Sequence, residues 1–150
     1  MKKIALLCLV FFISAACLSM CSPAERQAFE KNRALWESQA IQHYRIHFTI
    51  GCNCPWRELM PLTVEVQDGE IVSMVASNAG DISNYLDTFR RHATIESLFE
   101  LVDSSIAKVY KLAVQYDATY GFPTSTVIDP YRWITDDATG YYVTDFEVLP

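Results

Sequence analysis

An α+β fold, an antiparallel β-sheet with two α-helices packed on one face, is predicted by three stretches of this sequence. Ile95, Leu98, Phe99, Val102, Ile106, Val109 and Tyr110 recur at three and four residues, the spacing that gathers side chains on one helical face. Directly afterwards the period changes to two, with Leu112, Val114 and Tyr116 alternating with Ala113, Gln115 and Asp117. Earlier, LTVEVQDGEIVSMVA sets two apolar alternations around Asp68-Gly69, whose turn positions need positive φ, the signal of a two-residue hairpin. A striped helix and half-buried strands bury each other as two layers. The approximate element order is α-β-β-β-α-β-β-β.

Lys2 and Lys3 precede the uncharged run IALLCLVFFISAA, which meets small residues just before Cys17. That tripartite pattern is a secretory signal peptide, too short to be a comfortable transmembrane helix. Residues 1–16 are therefore expected to be removed, 17–24 to form a short tether and 25–150 to fold as a single α+β domain. The segment resembles a bacterial lipoprotein signal, in which the cysteine that becomes the new N-terminus carries a lipid. Ala16 supplies the small residue such signals place before the cysteine, while Ser14 stands where an aliphatic residue is usual. Cys21 has Leu18 and Ser19 in suitable places but Met20 where a small residue is wanted. Cys17 is the expected lipidation site and Cys21 the alternative; ordinary secretion or a retained anchor is the third outcome. The expected location is the bacterial cell envelope, with the domain facing the periplasm or the exterior.

In AERQAFEKNRALWESQAIQHY, Pro23 suits a first helical turn, Ser22 can cap it, and Glu25 lies near the positive end of the dipole. Phe29, Trp36 and Ala40 fall on one side, with Trp36 as the core anchor. Tyr44 to Ile50 is a strand, with Tyr44, Ile46, Phe48 and Ile50 on one face and Arg45, His47 and Thr49 on the other. His43 and His47 would be neighbours on a helix. On a strand rising ~3.3 Å per residue they stand roughly 13 Å apart, too far to share a zinc ion at ~2.1 Å per bond.

Gly51, Cys52, Asn53, Cys54 and Pro55 end that strand. In an exported protein such cysteines tend to be oxidised, and the spacing permits either a tight Cys52–Cys54 bridge or a longer one from either of them to Cys21. A thiol-redox role is disfavoured, because this is not the Cys-x-x-Cys spacing at a helix start. In the hairpin, pairing Gln67 with Glu70 sets Val66 opposite Ile71, Val64 opposite Ser73 and Leu62 opposite Val75, with Pro61 as a boundary.

SNAGDISNYLDTFRRHAT has no sustained period and reads as the longest loop; Arg90, Arg91 and His92 are its only positive cluster, a solvated patch or a recognition site for an acidic or phosphate-bearing ligand. Thr94 is the expected N-cap of the organising helix, with Glu96 in its first turn and Lys108 and Lys111 near its end. After the Leu112 to Asp117 strand, ATYGFP turns into the β-prone TSTVIDP. Residues 131–140 form a connector with partial strand character around Trp133, and Tyr141 to Val148 form the last strand, either of whose faces can be the inner one.

Two groups in this half are candidate site residues. Tyr116, Tyr120, Phe122, Tyr131 and Trp133, with Tyr141 and Tyr142 nearby, are either strand packing or an exposed platform for a peptide, glycan or partner protein. Asp117, Asp129, Asp136 and Asp137, together with Asp145, are weak candidates for calcium or for general acid and base work. Their spacing lacks the calcium-loop rhythm, and turn aspartates are common for local hydrogen-bonding reasons.

The chain carries a formal charge of −6, which becomes −8 when the segment through Ala16, with Lys2 and Lys3 and no acid, is removed. Such a balance opposes phosphate-backbone binding, so nucleic acid is not an expected partner. A Gly-x-Ser-x-Gly elbow, a histidine metal motif and a phosphate loop are all missing from the sequence. The expectation is a non-enzymatic, cofactor-free binding or scaffolding domain of the envelope; the alternative is a small extracytoplasmic hydrolase or calcium-dependent enzyme using carboxylates in residues 117–145.

Trp36 before the Tyr44 strand, LTVEVQDGEIVS, TIESLFELV, and above all VQYDATYGFPTSTVIDP followed by Asp136-Asp137 give a combined pattern over most of residues 32–148. This pattern resembles the DUF6174 family, an uncharacterised group of small bacterial exported proteins and lipoproteins. The resemblance implies an exported domain and brings no catalytic residue with it.

Overall fold

The computed structural model describes residues 23–150. Its helices are α1 (Pro23–Gln39), α2 (Leu86–Arg90) and α3 (Ile95–Ser105). Its strands are β1 (His43–Gly51), β2 (Leu62–Gln67), β3 (Glu70–Ala76), β4 (Lys111–Tyr116), β5 (Pro123–Asp129) and β6 (Thr139–Val148). They form one six-stranded antiparallel sheet in the order β3-β2-β1-β6-β5-β4. The fold is the α+β arrangement the periodicities predict, with one additional short helix. Cys17 and Cys21 lie outside the described residues.

Strict alternation puts Tyr44, Ile46, Phe48 and Ile50 of β1 into the core beside Leu62, Val64 and Val66 of β2. The two long helices cover this face. From α1, Trp36 meets Tyr44, Phe122 and Phe146 edge-on, at centroid distances of 5.6, 6.0 and 5.9 Å. From α3, Ile95, Leu98, Phe99 and Val102 are buried. The helices are joined to the central strand by polar contacts as well. The Tyr44 hydroxyl donates to Glu96 Oε2 at 2.8 Å and accepts from the Ile95 N–H at 2.9 Å, while Trp36 Nε1 donates to Glu96 Oε1 at 3.3 Å. Burial, reinforced by the nearby Glu96 charge, raises the Tyr44 pKa, so the phenol stays protonated as the donor this geometry needs.

Thr94 caps α3 as expected, and Ser97 completes a reciprocal capping box. The helix is shorter than its stripe predicts. It stops at Ser105, where Ser104 and Ser105 turn their hydroxyls back to the Leu101 carbonyl and Ala107 takes a φ of 66°. Val109, Tyr110, Lys108 and Lys111 therefore lie beyond the helix, and its last turn holds no basic residue. Likewise Ala40, expected on the buried side of α1, is an exposed residue at φ 50° just past the helix end.

Two bulges revise the expected faces. In the hairpin, Asp68 and Gly69 have φ of 52° and 80°, and Val66 faces Ile71. An extra residue on β3 then pairs Val64 with Met74 and Leu62 with Ala76, instead of with Ser73 and Val75. The shift sends Val72 and Val75 to solvent. In β6 a second bulge lies opposite Arg45 to His47, with Asp145 at φ 50°. The strand consequently turns Val143 and Phe146 to the core, one from each of the two alternating sets the sequence offers.

The supposed long loop contains α2, whose Phe89 is fully buried and whose follower Ala93 is too. One apolar turn within polar residues is too short to show a period. Trp133, expected to have partial strand character, stands 86% exposed on the β5–β6 connector.

The Tyr-Asp-x-x-Tyr-Gly-Phe-Pro segment joins β4 to β5 and docks on α1. Asp117 accepts from the N–H groups of Thr119 and Tyr120 at 2.8 and 2.7 Å, which fixes the turn. Gly121 has a φ of 83°, and a Cβ there would stand 2.5 Å from the Asn32 carbonyl of α1. Phe122 is then delivered into the core, 4.7 Å from Phe146.

Two substitutions test this account. Tyr44→Phe leaves the buried Ile95 N–H without its acceptor and is expected to lower unfolding stability by about 1–3 kcal/mol in a denaturant titration. Gly121→Ala combines a left-handed conformation with collision against α1, and a loss of about 2 kcal/mol is expected from the same measurement.

Candidate functional site

Where β1 ends, Gly51 leads into Cys52 and Cys54, which are joined as a disulfide. The chain then places Trp56 against Tyr85 and Phe89, at centroid distances of 5.2 and 6.0 Å. Across from this loop, α2 and the residues after it bring Thr88, Arg91 and His92, and the start of β6 brings Thr139 and Tyr141. Together they line a cleft of about 270 Å³.

The chemistry of this cleft is that of a donor-rich, flat-walled hollow. Trp56 Nε1 is buried and has no hydrogen-bond partner. His92 meets Tyr141 edge-on at 5.2 Å. Burial, followed by the Arg91 charge, lowers the His92 pKa and favours the neutral ring. Burial raises the Tyr141 pKa, and Arg91 opposes that shift, so the guanidinium is felt by both side chains. Among the described residues no carboxylate lies within ion-pair distance of Arg91.

A larger hollow of about 440 Å³ lies between α1, the end of α3 and the β4–β5 edge, lined chiefly by Val102, Ile106, Leu112, Val114 and Tyr116. It offers apolar shape with no positive charge. Specific recognition usually needs a few convergent polar groups in an apolar pocket, which the smaller cleft supplies.

The open face of the sheet carries a ladder of charges. His43 contacts the Pro150 carbonyl through Nδ1 at 2.9 Å and Glu65 through Nε2 at 3.0 Å. Arg45 bridges Glu65 and Glu147, both at 3.2 Å, and His47 contacts Asp145 at 2.8 Å. His43 and His47 thus engage different carboxylates and do not converge. Exposed pairs of this kind contribute little to stability individually.

The candidate carboxylates are dispersed in role. Asp117 fixes its turn, Asp145 pairs with His47, and Asp136 is an exposed residue at φ 70°. Asp129 and Asp137 each hold one buried oxygen without a partner. Among the described residues no group of three His, Cys, Asp or Glu side chains could hold a metal ion.

The aromatic candidates divide. Phe122 is core; Tyr116 stacks on Phe99 and Tyr120 on Phe122, while Tyr120 meets Phe146 at a tilt. Only Tyr131 and Trp133 of the five are exposed, on the β5–β6 connector, where Arg132 lies over Trp133. Arg90 and Arg91, adjacent in sequence, serve different hollows: Arg90 lines those beside β3, and Arg91 the cleft. Trp56 and Tyr141 were not singled out by sequence as partners of Arg91. The available signal was a tryptophan two residues after a Cys-x-Cys at a strand end.

A model described as a family of unknown function, DUF6174, matches residues 28–148. The chain belongs to the DUF6174 family. No curated protein and no solved structure matches it. In this DUF6174 chain the matched span holds the whole sheet, α2, α3 and every residue lining the cleft.

The histidines supply a test of the electrostatics. Both His43 ring nitrogens face oxygen acceptors, so the doubly protonated ring is favoured: the Pro150 carbonyl is the first cause and Glu65 the second of a pKa raised above 6.5. Glu65 is lowered below 4.5, first by His43 and then by Arg45. The His43 contribution to stability is complete below pH 6.5 and is lost as pH rises through its raised value; that of Glu65 is present above pH 4.5 and is lost as pH falls through its lowered value. NMR titration is expected to place His43 above 6.5 and His92 below it, with Glu65→Gln returning His43 toward 6.5 and leaving His92 unmoved.

Proposed function

We propose that this chain is an exported cell-envelope protein, tethered through a lipid on Cys17 or alternatively Cys21, whose folded domain is a non-enzymatic binding module with the Trp56–Arg91–Tyr141 cleft as its ligand site. The observation that carries the reading is Arg91: among the described residues a guanidinium without a carboxylate partner, in an acidic chain, lining a cleft walled by Trp56 and Tyr141. A guanidinium is a donor suited to holding a ligand, and it does not exchange its charge near neutral pH. The neighbouring bridge fits an oxidising compartment, where structural disulfides persist. The signal-like opening run and the small residue before Cys17 support export and anchoring. A peptide, a glycan or another envelope protein are the partner classes this location offers.

Two measurements test the proposal. Unreduced mass spectrometry of the protein from its native envelope is expected to show a diacylglyceryl peptide beginning at Cys17 and a two-proton deficit in the peptide holding Cys52 and Cys54. An unlipidated chain with free thiols would sink the tethered reading. A fragment library screened against ¹⁵N-labelled protein is expected to yield compounds that move the Trp56 indole resonance and leave Trp133 in place. A screen in which that resonance never moves would remove the cleft as the site.

A further inference from the structure

The cleft's shape and charge go further than the presence of a site. We infer that it takes a monocarboxylate attached to a flat, apolar body, with the carboxylate on Arg91 and the body against Tyr141 and the indole. This rests on the cleft being the ligand site.

Charge count is the first argument. Arg91 is the one fixed charge among the lining residues, and no acidic side chain joins it. His92, half-buried and beside that guanidinium, is held toward its neutral form. One positive charge with no acid beside it matches one negative charge; a dianion would enter with half its charge uncompensated.

Donor geometry is the second. A guanidinium presents paired N–H groups that match the two oxygens of a carboxylate. Thr88 and Thr139 are the remaining hydroxyl-bearing side chains of the lining besides Tyr141.

Size and walls are the third. About 270 Å³ is on the order of nine water volumes, room for a ligand of roughly ten non-hydrogen atoms. Trp56, Tyr141 and Ile50 offer apolar surface, and the bridged Cys52 and Cys54 close the wall without a charge. Flat groups gain most from aromatic surfaces of this kind. A free small acid and the C-terminal residue of a peptide present the same chemistry.

The test is calorimetric titration of the folded chain with phenylacetate, phenylacetamide, inorganic phosphate and the tripeptide Gly-Gly-Phe, with the Trp56 indole resonance reporting location. Phenylacetate is expected to move that resonance and to bind at least about tenfold more tightly than phenylacetamide or phosphate, the loss that follows removing a charge-assisted pair. Arg91→Gln is expected to abolish the preference for the acid over the amide. Trp56→Phe, which keeps a ring against the body of the ligand, should leave the preference for the acid over the amide in place. Arg90→Gln, which alters a cation lining other hollows, should leave binding unchanged. Gly-Gly-Phe binding more tightly than phenylacetate would assign the carboxylate to a peptide end, and weaker binding to a free acid. Equal binding of acid and amide, or tighter binding of phosphate, would overturn the inference and leave the cleft as a site. If no probe moves the Trp56 resonance while library fragments do, the ligand class is wrong; if nothing moves it, the site itself is wrong.

Discussion

The buried contact between the Tyr44 hydroxyl and the first turn of α3 holds the layers in register. Hydrophobic burial is non-directional, so an apolar sheet face and two striped helices could slide over one another at little cost. The Tyr44 hydroxyl removes that freedom by accepting from Ile95 N–H and donating to Glu96, which also receives the Trp36 indole of α1. One carboxylate thus ties both long helices to the central strand. A helix N-terminus has unpaired N–H groups and a positive dipole end, so the hydroxyl and the Glu96 charge satisfy a need that α3 already has. Thr94 and Ser97 meet the rest through the capping box. The constraint is specific in direction because each group has only one acceptable position.

With that register fixed, the end of β1 falls beside α2, and the cleft follows from connectivity. The strand runs out at Gly51, the Cys52–Cys54 bridge restrains the turn, and Trp56 folds back onto Phe89 of α2. Phe89 is the buried pin of α2, and Arg91 and His92 follow it immediately, so anchoring the short helix also aims the cleft's cation. The larger hollow beside β4 lacks such a pairing of anchor and charge. Its walls come from two helices and an edge strand, and the polar residues that line it, Glu25, Gln115 and Ser125, bring no positive charge.

Features whose information is local were legible in the sequence. The Asp68-Gly69 turn, the Thr94 cap and the inward set of β1 each depend on neighbouring residues alone, and each is found as read. Bulges were not legible, because an extra residue in one strand is defined by its partner. That is why Met74 replaces Ser73 opposite Val64, and why Val143 and Phe146 both reach the core. The stripe on α3 overran its true end for a related reason: Val109 and Tyr110 continue the helical spacing, while the serine back-bonds and the turn into β4 end the helix. The site was legible only in parts. Arg91 and His92 stood out as charge and the cysteines as a pair, but Trp56 and Tyr141 join them through β1 and β6, which only the sheet order brings together.

The β4–β5 connection and the cleft obey different constraints. Asp117, Gly121 and Phe122 are explained by a turn, a close backbone approach and a core position, so their presence requires no ligand. Arg91 has no such structural explanation. In a chain with eighteen acidic residues against twelve Lys and Arg, Arg26, Arg33, Arg45 and Arg57 pair with carboxylates, while among the described residues Arg90, Arg91 and Arg132 do not, and of these three only Arg91 lines the cleft. Arg91 instead sits among threonines, aromatics and a disulfide. The net negative field of the domain disfavours anions approaching at random and weakens any attraction that rests on charge alone. An anion that is nevertheless held must gain from short-range contacts: the paired N–H groups of the guanidinium and the flat walls. The acidic surroundings therefore sharpen selection at this cleft, because they penalise each anion in proportion to its charge while only one of fitting shape recovers the loss.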